Sequence, residues 1–107
     1  MTKPWRALTE AELRTVGGWT GVYELGDASG AVLYVGFAGG RSLFGLKGEL
    51  QRHVSGAGGA TQFRFEVNAQ YTTRWKELLM AHVAVSGTVP AMNREEPLPS
   101  LGRLSLR

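Results

Sequence analysis

Two tripeptides, Gly21-Val22-Tyr23 and Tyr34-Val35-Gly36, restrict what this chain can fold into more than any other feature. Each lies in a run of strand-forming residues, about Gly21–Leu25 and Ala31–Phe37. Between them stands Gly26-Asp27-Ala28-Ser29-Gly30, a stretch rich in turn residues. The pattern predicts a hairpin that brings both tyrosines onto one surface of a sheet. A phenol pair beside a glycine that permits close approach is costly to keep for packing alone, so that surface is the first place to look for a site.

The flanking segments supply the rest of a small domain. Thr9-Glu10-Ala11-Glu12 has the form of a capping box and predicts a helix from about Glu10 to Val16, stopped by Gly17-Gly18. The run Val32-Leu33-Tyr34-Val35 is continuously apolar and predicts a central strand. After the loop Ala38–Ser42, a helix is expected from about Leu43 to Val54, weakened by Gly45 and Gly48. Residues 55–59 form a glycine-rich connector. Gln62–Val67 alternates strictly and predicts a third strand with Phe63, Phe65 and Val67 toward the core. A last helix, about Arg74 to Ser86, is capped by Thr72 or Thr73 and ended by Gly87, with Pro90 blocking continuation. The expected fold is α+β, a three-stranded sheet flanked by helices in the order α-β-β-α-β-α. It divides into a helical extension (1–19), a domain (20–94) and a loose tail (95–107).

Composition narrows the function classes. The chain has no cysteine, which excludes disulfides and thiolate metal sites. It lacks an apolar run of membrane-spanning length and an apolar leader, so the expected setting is cytoplasmic, away from membranes. The net charge is +3, unevenly spread. Residues 1–40 carry three basic and four acidic side chains, residues 41–107 nine basic and five acidic. A basic half suits a phosphate backbone. The glycines near residues 39–48 do not form a phosphate loop, because no G-x-x-x-x-G-K-[ST] is present. Glu77 and His82 fall about 140° apart on a helix, which argues against a metal pair.

In order and spacing, Gly21-Val22-Tyr23, Tyr34-Val35-Gly36, His53, Glu77, Pro90 and Asn93 resemble the pattern of the GIY-YIG nuclease superfamily over residues 20–94. The resemblance implies a metal-dependent endonuclease that hydrolyses phosphodiester bonds in DNA. It implies that Glu77 binds one Mg²⁺ or Mn²⁺ ion, as a hard oxygen ligand for a hard cation. Tyr23 would orient or activate the attacking water, Tyr34 would line the same pocket, and Gly36 would allow close approach. Asn93 would brace the site, and His53 would stand at its helix end.

One position departs from the pattern. The family's helix carries Arg and His one turn apart, but here the frame gives Glu49 before His53. A carboxylate there repels the scissile phosphate. Lys47 could replace the arginine if the preceding loop shifts the register, or Arg41 could reach in from the helix entrance. Arg52, adjacent to His53, is expected to face elsewhere. The alternative to a nuclease is a degenerate member that binds nucleic acid, or a protein, without cleavage. With no room for a separate recognition domain, the expected action on DNA is non-specific, selective for branched or structured DNA, or directed by a targeting protein. Arg94, Arg103 and Arg107 are either a solvated tail or an arm that contacts nucleic acid.

Overall fold

The computed structural model describes residues 1–96. The hairpin forms as β2 (Gly21–Gly26) and β3 (Val32–Ala38), antiparallel, with Tyr23 directly opposite Gly36. Asp27 builds its turn. Its carboxylate accepts from the Ser29 hydroxyl at 2.6 Å and from the Ser29 and Ala31 N–H groups at 2.9 and 3.1 Å. These bonds, the hydroxyl's first, hold the carboxyl below the usual carboxylate range.

The chain is α+β, but its sheet has four strands rather than three. A two-residue β1 (Arg6–Ala7) pairs with β4 (Gln62–Val67), and the antiparallel sheet has the order β1-β4-β2-β3. Two residues carry no periodicity, so nothing in the sequence announces β1. A second expectation also changes. The central strand is β2, buried throughout, and the apolar β3 lies at the edge. At Val35 that edge is capped by a side chain. Asn93, in the 3-10 turn Ala91–Glu95, accepts from the Val35 N–H at 2.8 Å and donates to its carbonyl at 2.9 Å. An edge strand whose polar groups are satisfied this way can be as apolar as a central one.

Alternation along β2 and β3 separates two layers of core. Tyr23, Leu25 and Tyr34 join Leu13, Leu46, Leu50 and Phe63 on one face. Val22 and Val35 join Leu78, Leu79 and Val83 on the other. The first layer lies under α1 (Glu10–Leu13) and α2 (Gly45–Gln51), the second under α3 (Tyr71–Ser86). Phe63 is fully buried, Phe65 only partly, and Val67 is exposed at the strand end.

The helix boundaries differ from expectation for local reasons. Thr9 caps α1 by accepting from the Glu12 N–H at 3.2 Å, but the Glu12 carboxylate turns to Arg6 at 2.8 Å instead of completing a capping box. Helix α2 starts at Gly45, not Leu43. Phe44 before it has φ 66° and Gly45, its first residue, φ 59°, and left-handed residues can stand at the end of a right-handed helix but not in its interior. Helix α3 starts at Tyr71, so Thr72 and Thr73 lie inside its first turn and do not cap it. The preceding turn is made by Asn68, whose side-chain oxygen accepts from the Gln70 N–H at 2.7 Å. Gly87, at φ 83°, ends α3 with its N–H on the Val83 carbonyl.

The first nineteen residues are built into the domain. Leu8, Leu13 and Val16 are core residues, and Trp5 lies over the Arg64 guanidinium at 4.1 Å. Glu95 continues the turn that holds Asn93. Residues 97–107, with Arg103 and Arg107, lie outside the described residues. No described helix is long and apolar enough to cross a membrane.

Candidate functional site

The cross-strand pair Tyr23–Gly36 sets the site's geometry. Gly36 has no side chain because the Tyr23 ring occupies the space above it: a Cβ there would lie 2.5 Å from Tyr23 Cζ and 2.7 Å from Tyr34 Cε2. The Tyr23 and Tyr34 rings sit 5.9 Å apart, and the His53 ring, just past the end of α2, sits 5.9 Å from the first and 5.3 Å from the second. The Tyr23 hydroxyl bonds His53 Nε2 at 3.3 Å. The Tyr34 hydroxyl donates to the Glu96 carboxylate at 2.7 Å.

These contacts fix the protonation states. Tyr23 is buried, and its pKa is raised far above a free phenol's by that burial, then by Tyr34 and Glu49. Tyr34 is also raised, by burial first and then by its bond to Glu96. Both phenols are neutral donors at neutral pH. Burial, and then Arg52, lower the His53 pKa, with Glu96 opposing them. The imidazole is therefore neutral at neutral pH, and in the tautomer whose Nε2 carries no proton it accepts a hydrogen bond from the Tyr23 hydroxyl.

Beside the cluster opens a concavity of about 460 Å³, walled by Tyr34, Phe37 and Trp75, with Glu49, Arg52 and Glu96 among its polar groups. The Trp75 indole is held by donating Nε1–H to the Val35 carbonyl at 3.0 Å. Phe37 stands edge-on to Trp75, with ring centres 4.9 Å apart, and stacks on Tyr71 at 5.6 Å. A second concavity adjoins the first, sharing Phe37 and Ser42, and adds Arg41 and Tyr71.

The structure brings together Tyr23, Tyr34, Gly36 and His53, with Asn93 bracing β3 beneath them. It does not bring Lys47 or Glu77. Lys47 does not line the pocket; its backbone N–H, in the first turn of α2, donates to the Gly17 carbonyl. Arg41 lines only the adjoining hollow. The cation at the tyrosines is Arg52, bound to Glu49 at 2.7 Å. Arg52 was expected to face elsewhere because neighbours on a helix diverge by about 100°. But α2 ends at Gln51, and the long Arg52 side chain folds back on Glu49 three residues earlier.

Glu77 sits about 200° around α3 from the pocket-lining Trp75. Its side chain is 57% exposed and meets Arg74 at 3.3 Å, and Arg74 in turn holds Glu66 of β4 at 2.9 Å. Since β4 and β3 flank β2 on opposite sides, Glu77 points away from the tyrosines. A lone, exposed, guanidinium-paired carboxylate does not fit the role of an Mg²⁺ or Mn²⁺ ligand at this site. Among the described residues no group of three or more His, Asp or Glu side chains is placed to hold a metal ion.

Pattern reading missed Phe37, Trp75, Arg52 and Glu96. Trp75 and Phe37 carried a signal, as large aromatics flanking the motif. Glu96 carried none, because its contact spans 62 residues of sequence.

Fold and site define an α+β domain with two buried phenols against a half-buried imidazole, beside an open, aromatic-walled groove. The chain belongs to the family described as a domain of unknown function (DUF7508), whose model matches residues 1–85. A search of curated proteins gave no match.

Proposed function

We propose that this is a GIY-YIG-like domain that binds nucleic acid in the groove beside Tyr34 without cutting it. One observation carries the reading. The pocket at the tyrosine pair opens into a groove walled by Tyr34, Phe37, Tyr71 and Trp75, while Arg52, the cation among the described residues that lines it, is engaged by Glu49. Aromatic walls stack bases, and Arg41 and Arg52 along the rim face a backbone.

Cleavage has less support. Hydrolysis needs charge stabilisation at the phosphate and a base for water. Here Glu49 offsets Arg52, the Tyr23 phenol is held strongly neutral, and Glu77 lies on the far side of α3. The Tyr23–His53 contact at 3.3 Å is what favours the nuclease as the second reading.

Two assays run in parallel test this. Fluorescence anisotropy with single-stranded and duplex oligonucleotides should detect binding that weakens steeply as salt rises. Supercoiled plasmid incubated with Mg²⁺ or Mn²⁺ should show no nicking above buffer. Nicking that disappears in both Tyr23→Phe and Glu77→Ala would instead establish the nuclease. Absence of binding to every oligonucleotide would remove the nucleic-acid reading.

A further inference from the structure

The charge inside the pocket between Tyr34 and Trp75 has the wrong sign for a phosphate. Among the described residues its lining side chains include two carboxylates, Glu49 and Glu96, against one guanidinium, Arg52. One Glu49 oxygen is held by Arg52, and one Glu96 oxygen accepts from Tyr34. Among the described residues nothing else engages either carboxylate, so each has a second oxygen with lone pairs to offer. The walls beside them are flat and fixed: Trp75 is pinned through Val35, and Phe37 is wedged between Trp75 and Tyr71. Such a site excludes an anion and accepts a flat, neutral ring that carries N–H donors. The concavity, about 460 Å³, is within the range of small-ligand pockets. Further positive charge stands beside it on Arg41 in the adjoining hollow, and the lining Arg52 is itself largely exposed, so both can meet groups outside the pocket.

We infer that the pocket receives one unpaired nucleobase bearing an exocyclic amino group, its ring against Trp75 and Phe37 and its amino edge toward Glu49 and Glu96, with flanking phosphates toward Arg41 and Arg52. This rests on the nucleic-acid reading above and adds its ligand class: single-stranded nucleic acid, read for amino-bearing bases. Carboxylates accept well from the cytosine N4 amino group, and thymine and uracil carry none. A free backbone would not create this preference, since phosphate contacts carry no sequence information.

The test is anisotropy with fluorescein-labelled decamers dC10, dT10, rC10 and rU10 on the full chain. The expected result is cytosine binding about tenfold or more tighter than thymine or uracil, in both sugars. The double variant Glu49→Ala/Glu96→Ala should move the two quantities in opposite directions. Overall affinity at low salt should hold or rise as two negative charges go, while the cytosine preference collapses to near one. Trp75→Leu, checked for folding by circular dichroism, should weaken cytosine binding about tenfold. Salt-sensitive binding with equal affinities for all four decamers would overturn the pocket inference and leave the nucleic-acid reading standing. No binding to any decamer or duplex, or capture of a basic peptide instead, would overturn both.

Discussion

A methyl group on residue 36 would lie 2.6 Å from the Tyr23 hydroxyl oxygen, so the Tyr23 ring and a side chain at 36 compete for one space. The second glycine of the motif is thus explained by the first tyrosine, through their cross-strand pairing. Gly36→Ala should therefore destabilise the fold by about 1–3 kcal/mol, as overpacking does, read from the urea midpoint. It should also break the Tyr23–His53 bond, seen as a shift of the His53 ring resonances. An unchanged midpoint would mean that Tyr23 moves aside freely. His53 makes a pH prediction. Its pKa is lowered from 6.5 in the folded chain, by burial first and then by Arg52. The unfolded chain then binds the proton more readily, so stability is present above the ordinary imidazole pKa and is lost as pH falls through the folded value. Urea midpoints should drop between about pH 7 and pH 5, and His53→Gln should flatten that slope. The carboxyls of Asp27 and Glu66 are also lowered; in Glu66 the bonds from Arg74 and Asn68 outweigh burial, which pushes the other way. Both act in the more acidic carboxylate range, so the two regimes separate.

Among elements, β2 and β4 are joined by a charge pair as well as by their ladder. Glu24 and Arg64 stand directly opposite each other, 2.8 Å apart, with side chains 7% and 17% exposed. Removing one partner leaves a buried charge alone; removing both does not. Arg64→Met should cost about 3–5 kcal/mol, and Glu24→Leu/Arg64→Met should recover most of it, in a double-mutant cycle by urea denaturation. A double variant as weak as the single would assign Arg64's value to its contact with Trp5. The same elements show what could be read from the residues. Strands with a clear pattern, β2, β3 and β4, were legible, as were the alternation that divides the core and the turn at Asp27. The place of β3 was not, because an apolar run records coverage on both faces, and Asn93 supplies from 58 residues away what a neighbouring strand would. Nor was the start of α2, which depends on the left-handed backbone at Phe44 and Gly45. At the site, Tyr23, Tyr34 and Gly36 were legible because the hairpin register alone brings them together. Glu77 and Lys47 were misplaced because their facing depends on helix rotation against the sheet. Arg52 and Glu96 reach the pocket through long-range or end-of-helix geometry that no local pattern encodes.

Over the whole molecule, the amino-terminal segment, like the hairpin strands, touches both layers. Met1 packs with the cluster under α3, and Leu8 lies in the cluster under α1 and α2. Between them, β1 covers the outer edge of β4 and Trp5 shields the Arg64 side of the Glu24 pair. The family match likewise begins at residue 1, not at the hairpin. A chain lacking residues 1–8 would lose the β1 ladder and a buried leucine, open a sheet edge, and admit water to a charge pair that is now mostly dry. Loss of one buried leucine side chain alone costs about 2–5 kcal/mol, a large part of the total stability of a domain this size. The truncated chain should therefore unfold at a much lower urea concentration or fail to fold, whereas the full chain should unfold in one transition, coincident by tryptophan fluorescence and far-ultraviolet circular dichroism. Coincidence is expected because the central strand β2 contributes Tyr23 and Leu25 to one layer and Val22 to the other, so neither layer can melt while its partner keeps the sheet. Two separated transitions, or a truncated chain with the full chain's midpoint, would show that the segment is an appendage and that the layers are held independently.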